Sequence, residues 1–78
     1  MESKEYVYNL VKDWYNEYYI NTNSKRKVVQ DKIRNYINGL SHNFIIEIYP
    51  QSVSTPISYS HFESDLDEFL ILLKSKIS

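Results

Sequence analysis

The chain has 78 residues, a formal net charge of −1 and no cysteine. This length allows a single small domain, 1–78, and the lack of cysteine excludes disulfides and thiolate metal sites as sources of stability. The N-terminus is acidic rather than apolar, and no stretch approaches the ~18 consecutive apolar residues of a membrane span. The sequence therefore predicts a cytoplasmic protein without a membrane partner, located in the host cytoplasm if a virus encodes it.

Tyrosine is unusually frequent, with 8 residues. Alanine is absent, and isoleucine, asparagine and lysine, which are also frequent, share AT-rich codons with tyrosine. The tyrosine excess therefore has two explanations, codon bias and a role in binding. A chain of this size and composition is typical of an accessory gene of a phage or mobile element.

The first predicted element is an amphipathic helix over residues 3–20, capped by Ser3. Its core face is a stripe at helical spacing, made of Val7, Leu10, Val11, Trp14 and Tyr18. Tyr8, Tyr15 and Tyr19 fall on a second face of the same helix. The spacing therefore predicts that tyrosine rings lie on the outside of the domain.

The second predicted element is a helix over residues 24–40, capped by Asn23 or Ser24. Its apolar stripe is Val29, Ile33, Tyr36, Ile37 and Leu40. Gly39 lies near the expected end, where a residue in the left-handed conformation commonly closes a helix.

A change of period after residue 42 predicts an antiparallel β-hairpin with strands at 43–49 and 56–62. Apolar and polar side chains alternate in both segments, and Pro50 ends the first. Two strands alone leave both edges of the sheet unpaired. The hairpin therefore favours a homodimer, or pairing with a strand of another protein.

The last predicted element is a helix over residues 64–77, which completes an α+β fold in the order α-α-β-β-α. Ser64 and Asp67 match a capping box at its start. Its core stripe is Leu66, Phe69, Leu70, Leu73 and Ile77. The hairpin is expected to pack against these helices.

No motif for catalysis, a metal or a cofactor is present in the sequence. His42 and His61 each lack a second histidine at the spacings that place two ligands on one face. A single glycine excludes glycine-rich phosphate loops, and helix capping explains the carboxylates at 63–68. The sequence predicts a protein that is not an enzyme, with a histidine pair assembled across a dimer as the one remaining route to a site.

Binding to another protein is the leading functional hypothesis. Tyrosine is enriched at protein interfaces, and the acidic residues favour a partner with a basic surface. A small inhibitor that blocks a host defence or nucleic-acid-processing protein fits this pattern. The residues predicted to contact the partner are Tyr8, Tyr15, Tyr19, Glu63, Asp65, Asp67 and Glu68.

The alternative is a small DNA-binding transcriptional regulator, because positive charge is concentrated in the second helix. The predicted phosphate contacts are Lys25, Arg26, Lys27, Lys32 and Arg34. The helix–helix–hairpin order resembles part of a winged helix-turn-helix domain, although the third helix that normally precedes the hairpin is missing. The acidic segments on either side of the basic helix oppose binding to a duplex.

Overall fold

Four helices and one irregular segment make up the computed structural model, which describes residues 3–51 and 55–77. The helices are α1 (Lys4–Ile20), α2 (Asn23–Asn38), α3 (His42–Ile48) and α4 (Phe62–Ile77). Helix α1 packs against both α2 and α4, and α3 packs against α4. The described residues form no strand, so the prediction of an α+β fold with a β-hairpin is wrong.

The first predicted strand is the short helix α3. Ser41 caps this helix, since its Oγ accepts a hydrogen bond from the Phe44 backbone N–H at 3.2 Å. The buried side chains of α3 are Phe44, Ile45 and Ile48. The prediction of a strand at 43–49 is wrong because three consecutive apolar residues fit the two-residue period of a strand as well as the 3.6-residue period of a helix. The Ser41 cap and the burial of adjacent side chains show that this segment is helical.

The second predicted strand, at 56–62, is an irregular segment held by side chains of two helices. Ile57 is fully buried. The side-chain amide of Asn38, at the end of α2, forms hydrogen bonds with both backbone groups of Ile57. Asn38 Nδ2 donates to the Ile57 carbonyl at 3.1 Å, and Asn38 Oδ1 accepts from the Ile57 N–H at 3.1 Å. Asp65 Oδ2 accepts from the Ser58 N–H at 2.9 Å and from its hydroxyl at 2.7 Å. The strand prediction is wrong because side chains, and not a sheet ladder, satisfy this backbone.

The loss of the hairpin removes the strand edge on which the homodimer prediction was based. The described parts of the chain offer no unpaired strand for a second copy or another protein to extend. The predicted hairpin turn includes residues 52–54, which lie outside the described residues. A homodimer formed by another route stays a prediction.

The three long helices confirm the helical predictions, with small changes at their ends. Ser3 caps α1 as predicted, and its Oγ accepts from the Tyr6 N–H at 3.1 Å. Helix α2 is preceded by Thr22 rather than capped by the predicted residues. Gly39 has a φ of −92°, so it ends α2 in the right-handed region and not the left-handed one. Helix α4 begins at Phe62, so Ser64 lies inside it and is not its cap.

One apolar cluster joins the buried side chains of all four helices with Ile57. The predicted stripes supply most of this core: Val7, Val11, Tyr18, Val29, Ile33, Ile37, Leu66, Phe69 and Leu73. Within α1, Tyr15 was predicted to lie on the outer face but is only 8% exposed. Trp14, predicted to be core, is half-buried. Because α1 packs on both α2 and α4, its buried face is wider than one stripe.

Candidate functional site

The α1 tyrosines and the α4 carboxylates meet in a network that we call the tyrosine–carboxylate cluster: Tyr15, Tyr18, Tyr19, Glu63 and Asp67. The Tyr15 hydroxyl donates to Asp67 Oδ1 at 2.9 Å, and the Tyr18 hydroxyl donates to Glu63 Oε2 at 3.0 Å. The Tyr19 hydroxyl lies 3.1 Å from that of Tyr15 and donates to Glu63 Oε1 at 3.3 Å. The helices therefore hold these rings and carboxylates in a fixed arrangement.

Contacts between tilted aromatic rings reinforce this arrangement. The Tyr15 and Tyr19 ring centroids are 5.0 Å apart, and the Tyr18 centroid lies 5.1 Å from that of Phe62 at the start of α4. Aromatic pairs at such distances contribute ~0.5–1.5 kcal/mol beyond the burial of their area. The cluster thus joins the C-terminal half of α1 to the first turns of α4.

Burial and neighbouring acids keep the Tyr15 and Tyr18 hydroxyls protonated. Desolvation, followed by the hydrogen bonds with Tyr19 and Asp67, raises the pKa of Tyr15 above the ordinary tyrosine range. Desolvation and the hydrogen bond to Glu63 raise the pKa of Tyr18 in the same direction. These hydroxyls act as hydrogen-bond donors to the carboxylates in the folded protein.

We expect the folded state to lose stability in alkaline solution. A tyrosine whose pKa is raised by folding holds its proton more tightly in the folded chain, so its contribution to stability is fully present below pH ~10 and is lost as the pH rises further. Urea unfolding measured at increasing pH should show this decline. The decline should be shallower in Tyr15→Phe, which lacks one of the perturbed hydroxyls, and identical slopes for the two proteins would contradict the role of Tyr15.

The cluster borders an exposed face shared by α1 and α4. Tyr19 is 54% exposed and Ile71, one helical turn beyond Asp67, is 69% exposed. A shallow cleft of about 450 Å³ continues this face, and it is lined by Tyr8, Lys12, Asp67, Leu70, Ile71 and Lys74. Four predicted contact residues, Tyr8, Tyr15, Tyr19 and Asp67, therefore come together here, with Glu63 beside them, although Tyr15 is buried beneath the surface.

Asp65 and Glu68 lie on a different side of α4. Together with Tyr49 they line a second cleft, of about 360 Å³, between α4 and the irregular segment. Desolvation, followed by the charges of Glu68 and Asp65, raises the pKa of Tyr49 to about 12. The Tyr49 hydroxyl is buried and has no hydrogen-bond partner in the described part of the chain. Sequence periodicity could not have identified Tyr49, which was assigned to a strand.

Arg26, one of the predicted phosphate contacts, is used inside the fold. Its Nε donates to the carbonyls of Tyr18 at 3.0 Å and Asn21 at 2.9 Å, and its Nη2 donates to that of Tyr19 at 3.4 Å. These bonds satisfy carbonyls at the C-terminus of α1, whose last turn has no basic residue of its own. The guanidinium also lies 5.0 Å from the centre of the Tyr18 ring.

The other basic residues of α2 do not form one patch. Lys27 donates a hydrogen bond to the Tyr59 hydroxyl, and the Arg34 guanidinium lies 5.1 Å from the Tyr59 ring centroid. On another side of α2, the Lys32 ammonium lies 4.8 Å from the Trp14 ring centroid and 3.9 Å from a Glu17 carboxylate oxygen. The last of the five, Lys25, is exposed.

Neither His42 nor His61 belongs to a metal-binding group within the described residues. Residues 3–51 and 55–77 contain no group of three or more His, Cys, Asp or Glu side chains placed to hold a metal ion. His61 Nδ1 lies 3.1 Å from the Ser60 hydroxyl, and His42 is the first residue of α3. The described residues contain no hairpin that would place the two histidines side by side, and a pair assembled across a dimer stays a prediction.

Comparisons with family models, with curated proteins and with solved structures give no match for this chain. Within residues 3–51 and 55–77, no helix combines the length and the apolar character needed to cross a membrane. The candidate site is therefore defined by the geometry of the tyrosine–carboxylate cluster and of the two clefts on α4.

Proposed function

We propose that this chain is a non-enzymatic domain that binds another protein through the face shared by α1 and α4. The observation that carries the proposal is the tyrosine–carboxylate cluster, whose hydroxyls are held by carboxylates before any partner arrives. Side chains fixed in this way lose little rotamer entropy on binding, which leaves more of the contact energy for affinity. Exposed Tyr19 and Ile71 supply apolar contact area beside them.

The acidic end of this face favours a partner with a basic surface. Glu63 and Asp67 accept hydrogen bonds from neutral tyrosine hydroxyls, which do not offset their charge, whereas Lys12 and Lys74 lie over the Tyr8 ring at the other end of the face. A small acidic and aromatic domain of this kind suits an inhibitor that covers the basic, nucleic-acid-binding surface of a host defence or processing protein. We place such an inhibitor in the cytoplasm and attribute it to a phage or mobile element.

The contacts of α2 support protein binding over the alternative of DNA binding. Arg26 caps α1, while Lys27 and Arg34 contact Tyr59 on a different side of α2 from Lys32. Phosphates along a duplex are best neutralised by cations that form a continuous patch. These contacts place the positive charges on separate sides of α2, so they do not form such a patch.

Affinity measurements on matched surface variants test this proposal. A partner captured from the native host is purified, and its binding is measured by calorimetry with the wild-type chain, Ile71→Ala and Val28→Ala. Ile71 and Val28 are similarly exposed, at 69% and 66%, but only Ile71 lies on the proposed face. We expect Ile71→Ala to weaken binding by at least ~10-fold, as for an interface hot spot, and Val28→Ala to leave it unchanged.

The DNA-binding alternative predicts that substitutions on the α1–α4 face have no effect and that the basic residues of α2 are needed for binding. The proposal is wrong if Ile71→Ala and Tyr19→Ala bind the partner as the wild type does. It is also wrong if the isolated chain binds duplex DNA below micromolar with a steep salt dependence that Lys25→Ala and Lys27→Ala remove.

A further inference from the structure

Two cations of α2 converge on one exposed tyrosine of the irregular segment. Tyr59 is 52% exposed, and its hydroxyl accepts a hydrogen bond from Lys27, whose ammonium lies 4.8 Å from the ring centroid. The Arg34 guanidinium lies 5.1 Å from the same centroid. Lys27 and Arg34 are about two turns apart on one side of α2. We call these three side chains the Tyr59 cation cluster.

The backbone before Tyr59 is held by side chains of α2 and α4. Asn38 bonds both backbone groups of Ile57, and Asp65 accepts from the N–H and the hydroxyl of Ser58. These bonds fix the two residues that precede Tyr59 and so set the position of its ring beside α2. The cluster is therefore formed before a ligand arrives, which lowers the cost of binding.

The cluster presents more hydrogen-bond donors than acceptors. The Tyr59 oxygen accepts from Lys27, so its own O–H is still able to donate, and it has no acceptor within residues 3–51 and 55–77. Lys27 forms no ion pair with any described residue. Arg34 pairs only with Asp31 in this part of the chain, at 3.9 Å, which is too long for a hydrogen bond. Two positive charges therefore lie beside one carboxylate.

Solvent reaches these donors. Lys27 and Tyr59 are exposed, so an anion has direct access to the ammonium and the hydroxyl. The Arg34 side chain is 22% exposed and its Nε is buried, so this residue acts chiefly through its charge. The ligand that suits such a site is an oxyanion with several acceptor oxygens.

We propose that the Tyr59 cation cluster binds the phosphate group of a small phosphate monoester, with Lys27 and Tyr59 as donors and Arg34 as a second positive charge. A monoester carries a charge of about −1.5 to −2 and three strong acceptor oxygens, which match two cations and a hydroxyl better than a carboxylate does. A duplex needs further cations in line, whereas Lys32 lies on another side of α2. This site is separate from the α1–α4 face and does not depend on the proposed protein-binding function.

Two-dimensional NMR of the full chain, titrated with methyl phosphate at constant ionic strength, tests this inference. We expect saturable, millimolar shifts of the amide signals of Lys27, Arg34 and Tyr59. Dimethyl phosphate has a single charge and represents the nucleic-acid backbone, so it should bind at least ~5-fold more weakly, as should acetate. The inference is overturned if the shifts do not saturate, or if dimethyl phosphate or acetate binds as tightly as methyl phosphate.

Matched variants distinguish a defined site from general attraction between charges. Lys27→Gln should weaken methyl phosphate binding by about 5- to 10-fold. Lys25→Gln causes the same change of net charge, but residues two apart on a helix do not share a face, so it should change the affinity by less than ~2-fold. Tyr59→Phe keeps the ring and should weaken binding about 3-fold while retaining a native-like spectrum. Equal effects of Lys27→Gln and Lys25→Gln would show that only net charge attracts the phosphate.

Removal of the neighbouring carboxylate gives the opposite sign. Asp31→Asn should strengthen methyl phosphate binding by about 2- to 5-fold, because Asp31 competes with the ligand for Arg34. Asp13→Asn is the control, since it makes the same change of net charge at an exposed position of α1 and should leave the affinity unchanged. Unchanged or weaker binding in Asp31→Asn would contradict a phosphate beside Arg34.

Discussion

Replacing Tyr15 by alanine is expected to lower the free energy of unfolding by ~3–5 kcal/mol, the range for removing a large aromatic ring from a core. Tyr15 is 8% exposed, its ring contacts that of Tyr19, and its hydroxyl donates to Asp67 on the neighbouring helix α4. The substitution opens a cavity and also leaves Asp67 without its donor. Small domains have a total stability of only ~5–15 kcal/mol, so a large fraction of the variant should be unfolded at physiological temperature.

Tyr19→Ala is the matched control for this prediction. The two tyrosines lie one turn apart on α1, and both contribute to the cluster, but Tyr19 is 54% exposed. We expect Tyr19→Ala to cost ~1 kcal/mol or less, and Tyr15→Phe, which keeps the ring, to cost ~0.5–2 kcal/mol. Urea unfolding followed by circular dichroism measures all three variants. Equal losses for Tyr15→Ala and Tyr19→Ala would show that the cluster does not bury Tyr15.

The long helices could be predicted from the sequence because their signals are local. Apolar spacing and, for α1, the Ser3 cap agree with the structure over most of their lengths. The segment at 56–62 depends instead on Asn38, a residue far away in sequence that binds the backbone of Ile57. No local pattern reports such a contact, and alternation alone therefore suggested a strand.

The candidate site was predictable only in part, for a similar reason. The sequence places tyrosines on α1 and acids on α4, but it does not fix the rotation of one helix against the other. Tyr15 was therefore assigned to the surface, although α4 covers it. Arg26 was assigned to phosphate binding, although the α1 terminus uses its guanidinium. Tyr49 was not predicted as a site residue, because the cleft that it lines forms only in the folded chain.

The irregular segment provides the second large expected effect, through Asn38. This side chain donates to the carbonyl and accepts from the N–H of Ile57, which is fully buried. Asn38→Ala leaves both backbone groups without partners in a place that water reaches poorly. Each such group costs ~1–3 kcal/mol, so we expect a total loss of ~2–4 kcal/mol in the free energy of unfolding.

Asn35→Ala is the control for Asn38→Ala, because Asn35 is an exposed residue of the same helix. It should change stability by no more than ~0.5 kcal/mol, as is usual for a surface substitution. Hydrogen exchange at the Ile57 amide gives a local readout: the amide should exchange faster in Asn38→Ala by more than global destabilisation explains. If both variants unfold at the same urea concentration, the Asn38 amide does not hold this segment. The loss expected from Asn38→Ala is large because one side-chain amide bonds both backbone groups of Ile57. No other described side chain bonds this backbone, so nothing compensates when the amide is removed.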